Sequence, residues 1–345
     1  MGLVDRFSKD IAIDLGTANT LVYVAGKGIM LREPSIVAIR KETGEIIAIG
    51  VDAKKMAGRV PDAIQIVRPL KDGVIANFEV TQKLIEYLIN KVGGRKGFFG
   101  FNKPRLIIGI PSGITEVEMR AVIEAALQAG ARQARLIQEP MAAAIGADLP
   151  ISEPIGNMIV DVGGGTCEVA VISLNGIVCK NSIRIAGDEM NEAILQYLKR
   201  QYNLLVGIYT AEEIKIEIGS AFPSEEIMIA EIKGRDLITG LPRTITVTSE
   251  ETRIALNDVM ISILDAVKAT LEDTPPDLAA DIIDRGIFLA GGGSLLRGMD
   301  KYISEGTGIL VNNSDNPVLC VALGAGKIAE NIEKLWPLLL RVKYY

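Results

Sequence analysis

The sequence contains no histidine among its 345 residues. This absence excludes Ser-His-Asp and Cys-His nucleophile systems, HExxH zinc sites and histidine general bases. Any chemistry must therefore use carboxylates, hydroxyl groups, lysine, arginine, backbone amides or a hard metal ion. Three cysteines, Cys167, Cys179 and Cys320, are too few and too scattered for a disulfide framework or a zinc cluster. This cysteine content predicts a cytoplasmic protein.

The charge balance and the short apolar runs exclude further classes. Lys and Arg total 37 and Asp and Glu total 43, a net charge of −6, whereas nucleic-acid-binding proteins usually carry a basic surplus. No apolar run reaches the roughly 18 residues of a membrane-spanning helix. Asp5, Lys9 and Asp10 interrupt the region where a signal peptide would be apolar. We expect a protein without a nucleic-acid partner that is soluble or attached to a membrane surface, and the length predicts two domains.

Two segments repeat the same pattern of apolar strand, glycine-containing turn and apolar strand. The first runs from Ile11 to Val24 and the second from Met158 to Ile172. Asp14 in the first turn aligns with Asp161 in the second, 147 residues later. Such a long offset is not a solenoid repeat. We therefore predict two β-hairpins, each opening one copy of a duplicated domain.

Helix and strand patterns alternate along the rest of the chain, which is typical of an α/β protein with partly parallel sheets. The predicted strands are Leu106–Ile110, Arg135–Ile137 and Ile287–Ala290, and the predicted helices run from Asp188 to Tyr202, from Thr210 onward and from Ser249 to Asp273. A further helix begins at the capping pair Thr115 and Glu118. Its apolar stripe is Met119, Val122, Ile123, Ala126 and Leu127. Residues 40–68 and 220–250 are less periodic and are predicted insertions.

Three glycine-containing turns, each directly after an apolar strand, are the strongest functional signal. Glycine lets backbone amides approach a phosphate, and successive amides can hold it. Neither a P-loop nor a Rossmann motif fits these turns. A single turn of this kind is more often a tight hairpin, but three together, two of them duplicated, favour phosphate binding. The candidate residues are Gly16, Thr17, Asn19, Thr20, Gly163, Gly164, Gly165, Thr166, Gly291, Gly292, Gly293 and Ser294.

Three carboxylates stand beside these turns. Asp14 and Asp161 follow strands, where a carboxylate near phosphate needs a cation such as Mg²⁺, which contacts one or two carboxylates plus phosphate. Each Asp could instead cap its turn. Glu139 precedes Pro140 at the start of a predicted helix. It either orients or deprotonates a water that attacks a γ-phosphate, or it is an acid favoured by the helix dipole, and the sequence leaves both roles open.

The order of these motifs resembles the actin-like ATPase superfamily, and within it the MreB family of bacterial actins. The likeness covers about residues 9–330. The turns at Asp14 and Asp161 resemble its two phosphate motifs, and Gly291–Gly293 resembles its adenosine motif. The segments Glu139–Ala144 and Ala322–Gly326 resemble the two connecting segments of this superfamily. The segments most similar to MreB are Asp14–Val24, Pro69–Ile75, Ile185–Met190, Thr274–Ala280 and Gly291–Gly298.

The resemblance implies an α/β, actin-like fold of duplicated ribonuclease H-like domains. Two domains would divide into four subdomains, with a nucleotide cleft between them. Domain I would comprise residues 1–149 and 317–345, with a smaller subdomain at about 33–68. Domain II would comprise residues 150–316, with a smaller subdomain at about 188–250.

The resemblance also implies which residues serve ATP, its product ADP, and Mg²⁺. Asp14 and Asp161 would hold Mg²⁺ through its waters. Glu139 and Thr166, together with Asp161, would be catalytic. Glu212 and Lys215, one helical turn apart, would bind the ribose. The other implied contacts to phosphate and adenosine are Gly16, Thr17, Ala18, Asn19, Gly163, Gly164, Gly165, Gly291, Gly292, Gly293 and Ser294.

Four positions depart from the family pattern: Gln138, Cys167, Asn191 and Ala290. Cys167 replaces a frequent Thr, so we expect a weak thiol donor instead of a hydroxyl beside the phosphates. These departures leave the hydrolysis rate and the details of the metal shell open.

MreB proteins form antiparallel double filaments on the inner membrane face and guide the wall-elongation machinery. The resemblance therefore implies a filament-forming cytoskeletal ATPase that sets rod shape, with copies of itself, anionic lipids and wall-elongation membrane proteins as partners. It would be cytoplasmic and peripheral on the membrane. The alternatives are a soluble phosphotransferase of the superfamily, for which we find no acceptor-binding insertion, and a plasmid-segregating or division-associated actin.

Two apolar segments bear on the membrane question. Phe98, Phe99 and Phe101 lie in a glycine-framed loop with basic flanks, and this pattern favours insertion of the loop into anionic lipid. Alternatively, the three side chains pack against their own subdomain as a hydrophobic plug or form a filament contact. The apolar tail Leu335–Tyr345 could dock on its own domain, on a neighbouring subunit or on the membrane.

Overall fold

The computed structural model describes residues 10–93 and 103–340. The first half of the chain contains ten strands and four helices in this described part. The strands are β1 (Asp10–Leu15), β2 (Asn19–Val24), β3 (Gly28–Pro34), β4 (Val37–Arg40), β5 (Ile46–Ile49), β6 (Ile64–Val67), β7 (Leu70–Lys71), β8 (Val74–Ile75), β9 (Arg105–Ile110) and β10 (Gln133–Gln138). The helices are α1 (Val51–Met56), α2 (Phe78–Gly93), α3 (Glu116–Gln128) and α4 (Glu139–Gly146).

The second half is built in the same alternating style. Its strands are β11 (Asn157–Val162), β12 (Cys167–Ser173), β13 (Gly176–Ile183), β14 (Leu204–Leu205), β15 (Ile229–Asp236), β16 (Pro242–Thr248), β17 (Ile287–Ala290) and β18 (Val311–Asn313). Its helices are α5 (Gly187–Tyr202), α6 (Ile208–Ile218), α7 (Ser249–Glu272), α8 (Pro276–Arg285), α9 (Met299–Thr307), α10 (Cys320–Glu330) and α11 (Ile332–Leu335).

Two five-stranded sheets share one topology. The strand orders are β10-β9-β1-β2-β3 and β13-β12-β11-β17-β18. In each sheet the three strands that come first in the sequence, β1–β3 or β11–β13, form an antiparallel meander. Two later strands, β9 and β10 or β17 and β18, extend the sheet in parallel beyond β1 or β11. This equivalence confirms the predicted pair of hairpins and the predicted duplication. Parallel strands end at the same edge of a sheet, so the loops that follow β1, β9 and β10 converge.

Local signals fixed several helix boundaries. The capping box of Thr115 and Glu118 begins α3, as predicted. The expectation that Leu127 belongs to the buried stripe of α3 is wrong, because its side chain is 40% exposed. The buried face is instead centred on Val122, Ile123 and Ala126, and Leu127 in the last turn lies outside it. Helix α6 begins two residues before the predicted Thr210.

Both predicted insertions contain small antiparallel sheets. In the first, β5, β6 and helix α1 join β4, which begins three residues before the predicted insertion, around a core of Ile36, Ala38 and Ala53. In the second, β15 and β16 join β14, which lies before the predicted insertion. Each small sheet is separate from the two five-stranded sheets, which supports the division into smaller subdomains that we propose.

Helices α4 and α10 pack between the two large sheets. A single hydrophobic cluster joins them to Ile107 of one sheet and Ile159 of the other. Helix α10 also packs against β1, β2 and β9, so the end of the described chain returns to the first half. This return supports our proposed domain I, in which residues from 317 onward rejoin residues 1–149.

The contact between α4 and α10 depends on glycine. A Cβ atom on Gly324 would lie 1.8 Å from the carbonyl oxygen of Ala142, and one on Gly146 would lie 1.9 Å from that of Cys320. Since both obstacles are backbone atoms inside helices, the two helices would have to separate to admit a side chain.

We expect Gly324→Ala to lower the free energy of unfolding by about 1–3 kcal/mol, the usual cost of overpacking a well-packed contact. Urea unfolding followed by circular dichroism measures this change. The matched control is Gly176→Ala, because a Cβ there meets only the Ser173 carbonyl oxygen, at 3.6 Å. Equal stability of the two variants would contradict the close helix contact.

Candidate functional site

One cleft between the two large sheets collects nearly all of the predicted site residues. It encloses about 460 Å³, within the usual range of about 300–1,000 Å³ for small-molecule sites. The predicted residues that line it are Asp14, Gly16, Thr17, Ala18, Asn19, Glu139, Asp161, Gly163, Gly164, Gly165, Thr166, Glu212, Lys215, Gly291, Gly292 and Gly293. Residues separated by up to 279 positions thus meet at one site.

Some predicted residues lie elsewhere. The buried Ser294 does not line the cleft; its hydroxyl donates to the carbonyl oxygen of Gly291 at 2.7 Å and so stabilises the third turn. The buried hydroxyl of Thr20 shares a 2.8 Å hydrogen bond with that of Ser35. The predicted membrane residues Phe98, Phe99 and Phe101 lie outside the described residues.

The first two glycine turns face each other across the cleft. A Cβ on Gly164 would lie 2.7 Å from the Cβ of Ala18, and one on Gly165 would lie 2.8 Å from Oγ1 of Thr17. Only glycine therefore permits the two hairpins to approach this closely. Residues of both turns line the cleft, and convergent backbone amides of such turns can hold a phosphate chain.

The third turn passes directly over Asp161. Strand β17 pairs in parallel with β11, and Ala290 is the register partner of Asp161. Gly291 follows with a φ of 81°, and a Cβ on it would lie 2.4 Å from Oδ1 of Asp161. Both the left-handed backbone and the close approach require glycine at this position.

Three carboxylates share the cleft, and the pKa of each is raised. Burial raises the pKa of Asp14 to about 7. Burial also raises the pKa values of Glu139 and Asp161 well above their usual range, and the negative charges of Asp14 and Glu168 raise both further. A cluster whose neighbouring charges are negative favours either bound protons or a bound cation.

The carboxylates fit Mg²⁺ only together with a phosphate. Within residues 10–93 and 103–340, no group of three or more His, Cys, Asp or Glu residues is arranged to hold a metal by itself. Mg²⁺ is usually held by one or two carboxylates, substrate phosphates and water. Asp14 and Asp161, beside the paired turns, satisfy that requirement.

The predicted ribose pair is engaged in the structure by protein groups. Glu212 accepts an ion pair from Nζ of Lys54 at 2.7 Å, across the mouth of the cleft. Nζ of Lys215 donates to the carbonyl oxygen of Gly187 at 2.7 Å, and burial lowers the pKa of this lysine. A ribose bound here would have to share Glu212 with Lys54.

Sequence reasoning missed an apolar part of the cleft. Ile216 and Leu295 are 68% and 61% exposed, yet both line the cleft. Ile216 could have been found, because it lies on the opposite face of α6 from the buried Ile214 and Ile218. The other lining residues that were not predicted are Arg32, Gly73, Gly187, Asp188, Asn191, Gly219, Leu296, Arg297, Pro317, Val318 and Val321.

The expectation for Cys167 is wrong. Its side chain is fully buried in the hydrophobic cluster of the second sheet, and burial raises the pKa of the thiol. Because side chains alternate along a strand, Thr166 faces the cleft and Cys167 faces the core. Gln138 also lies outside the cleft, in a second cavity beside Lys180.

We expect the nucleotide-free and Mg²⁺-free protein to lose stability as the pH rises from about 4 to 7. The pKa of Asp14 is higher in the folded chain than its ordinary 3.8, so its proton favours the folded state and is lost through about pH 7. Asp14→Asn should reduce the slope of the free energy of unfolding against pH by up to about 1.4 kcal/mol per pH unit, measured by urea unfolding. The exposed Asp52→Asn is the control, and equal slopes for all three proteins would contradict the prediction.

Comparisons with known proteins agree with this geometry. The sequence profile of the family described as "MreB/Mbl protein" matches residues 8–336. The cell shape-determining protein Mbl of Bacillus cereus is 51% identical over 329 residues, 95% of this chain and 98% of the relative. The cell shape-determining protein MreB of Escherichia coli is 51% identical over 331 residues, 95% of each chain.

Solved structures extend the comparison to the fold. MreB 5 of Spiroplasma citri bound to AMPPNP has a TM-score of 0.90 at 36% identity, covering 96% of this chain and 98% of that chain. A double helical filament of MamK has a TM-score of 0.80 at 23% identity, covering 94% of this chain and 99% of that chain, and this likeness concerns the fold alone. The α/β fold is actin-like, as predicted. With a matching profile over residues 8–336 and relatives about half identical along nearly the whole length, the chain belongs to the MreB/Mbl family.

Proposed function

We propose that this protein is a cytoskeletal ATPase that determines cell shape. The observation that carries the proposal is the meeting of two glycine turns from two sheets beside Asp14 and Asp161. Two further facts support it. Relatives of the same length are named cell shape-determining proteins, and structures of MreB 5 contain AMPPNP or ADP.

The cleft divides into parts that suit the parts of ATP. The amides of the turns at Gly16–Asn19 and Gly163–Gly165 bind the phosphates. The exposed apolar side chains of Ile216 and Leu295 offer a surface for the base, and Glu212 with Lys215 contacts the ribose. Gly291, Gly292 and Gly293 let the backbone pass close to the adenosine.

Asp14 and Asp161 would hold Mg²⁺ through its waters. When bound, Mg²⁺ neutralises negative charge on the β- and γ-phosphate oxygens. The pKa values that burial raises fit this role, because a cation would offset the cost of burying both charges and the repulsion that Asp14 exerts on Asp161.

Hydrolysis requires a water held in line with the γ-phosphate. Glu139, at the first turn of α4, and Thr166, in the β11–β12 turn, approach the phosphate end of the cleft from opposite sheets. The Thr166 hydroxyl orients the water, and the Glu139 carboxylate accepts its proton. A raised pKa of Glu139 strengthens it as a proton acceptor once it is ionised.

Assembly and membrane attachment complete the proposal. The protein polymerises with copies of itself, in antiparallel double filaments, and guides wall-elongation membrane proteins from the inner face of the cell membrane. None of the helices in the described residues is both long enough and apolar enough to cross a bilayer. We propose that Phe98, Phe99 and Phe101 provide a peripheral anchor in anionic lipid, with the basic flanks contacting the head groups.

We expect Glu139→Gln to lower the rate of phosphate release from Mg-ATP by about 100-fold or more, because a proton acceptor is lost. Binding of a fluorescent ATP analogue should persist, since the turns that hold phosphate are intact. Glu333→Gln, at an exposed glutamate, is the control. Unchanged turnover in the Glu139 variant would exclude its role as the proton acceptor.

We expect the triple replacement of Phe98, Phe99 and Phe101 by Ser to abolish co-sedimentation with anionic vesicles, because the apolar anchor is lost. Ile238→Ser removes an apolar side chain that is 78% exposed elsewhere and serves as the control. Negative-stain electron microscopy with Mg-ATP and the same vesicles should show paired filaments on lipid for the wild type. Dispersed monomers that turn over ATP would favour a soluble phosphotransferase instead.

A further inference from the structure

Glu168 is a buried carboxylate for which the proposed chemistry has no role. It lies on β12, two residues after Thr166, and only 1% of it is exposed. Its Oε2 accepts hydrogen bonds from the backbone N–H of Ser112 at 2.9 Å and from the Ser112 hydroxyl at 2.5 Å. Its Oε1 accepts from the hydroxyl of Ser182 at 2.5 Å. One buried carboxylate is therefore satisfied by three donors.

The donors come from both large sheets. Ser182 is the register partner of Glu168 on β13, in the same sheet. Ser112 instead follows β9 of the other sheet. The carbonyl oxygen of Ser112 accepts from Nζ of Lys180 at 2.8 Å, so its N–H, hydroxyl and carbonyl groups are all bound by side chains of the second sheet. The Ser112 contact is thus a clamp between the two large sheets.

This clamp lies beside the two residues that hold the attacking water in the proposed function. Glu139 follows β10, which pairs with β9 of the first sheet, while Thr166 precedes β12 of the second. Their separation therefore depends on how the two sheets are held together at this point. The negative charge of Glu168 reaches Glu139, where it contributes to the raised pKa.

The clamp resists opening for an electrostatic reason. Moving Ser112 away would leave a buried carboxylate without two of its three donors. An unpaired buried charge is costly, and hydrogen bonds to a charged group are stronger than neutral ones. The sheets are therefore held at a fixed distance here unless a side chain of the clamp is changed.

We propose that Glu168 is a positioning residue for ATP hydrolysis, which fixes the separation of Glu139 and Thr166 by holding Ser112 across the cleft. This inference rests on the proposed function, since it concerns the same water and the same γ-phosphate. Glu168 itself does not line the cleft.

The test compares Glu168→Gln and Ser112→Ala with Ser182→Ala. The first two weaken the clamp between sheets, whereas Ser182→Ala removes a hydrogen bond within one sheet and is the matched control. We expect kcat for phosphate release to fall about tenfold or more in the first two, as for the loss of a hydrogen bond to a charged group. The KM for Mg-ATP and the affinity for ADP should stay within about twofold, and Ser182→Ala should keep kcat within about twofold.

Each assay is normalised to polymer mass in the same sample, measured by pelleting, and folding is checked by thermal unfolding. If Glu168→Gln does not fold, Ser112→Ala decides the question. The double variant Glu168→Gln/Ser112→Ala should lose no more kcat than Glu168→Gln alone, because both changes break the same contact.

Three results would overturn the inference: wild-type kcat in Ser112→Ala, an equal loss of kcat in Ser182→Ala, or a loss of ADP affinity that parallels the loss of kcat. Failure of the proposed function gives a different result. In that case the folded wild-type protein releases no phosphate from Mg-ATP, and the inference falls with it.

Discussion

The close approach of two hairpin turns across the cleft is the constraint on which the rest of the site depends. Gly164 and Gly165 allow it, because any Cβ there would collide with Ala18 or Thr17. This approach brings amides from both sheets to one place and carries Asp14 and Asp161 with them. The site is therefore divided between the two halves of the chain, and neither half contains it alone.

The contacts between the halves follow from this division. At the floor, helices α4 and α10 touch backbone to backbone through their glycines, and Ser112 is bound by Glu168 and Lys180. At the mouth, ion pairs join Lys54 to Glu212 and Arg68 to Asp188. The floor contacts are buried, whereas the ion pairs at the mouth are partly exposed and so contribute less. The mouth is thus the easier end to open for a nucleotide.

Charge explains why this cleft suits a nucleotide with its metal. Burial raises the pKa values of Asp14, Glu139 and Asp161, and the charge of Asp14 raises those of the other two further, so protons or a cation must balance the charges. Phosphates would add further negative charge. A divalent cation between carboxylates and phosphates removes both repulsions at once, which ties metal binding to nucleotide binding.

The sequence by itself determined the elements whose causes are local. The hairpins at Ile11–Val24 and Met158–Ile172, the capped start of α3 and the strand Ile287–Ala290 depend on neighbouring residues, and all were predictable. The motif order also identified the glycine turns and the carboxylates that line the cleft. Tertiary structure alone decided that Cys167 faces the core, that Leu295 lines the cleft, and that Glu168 clamps Ser112. The reason is physical: these outcomes depend on which elements pack together, and Glu168 meets a partner 56 residues away that no local pattern can reveal.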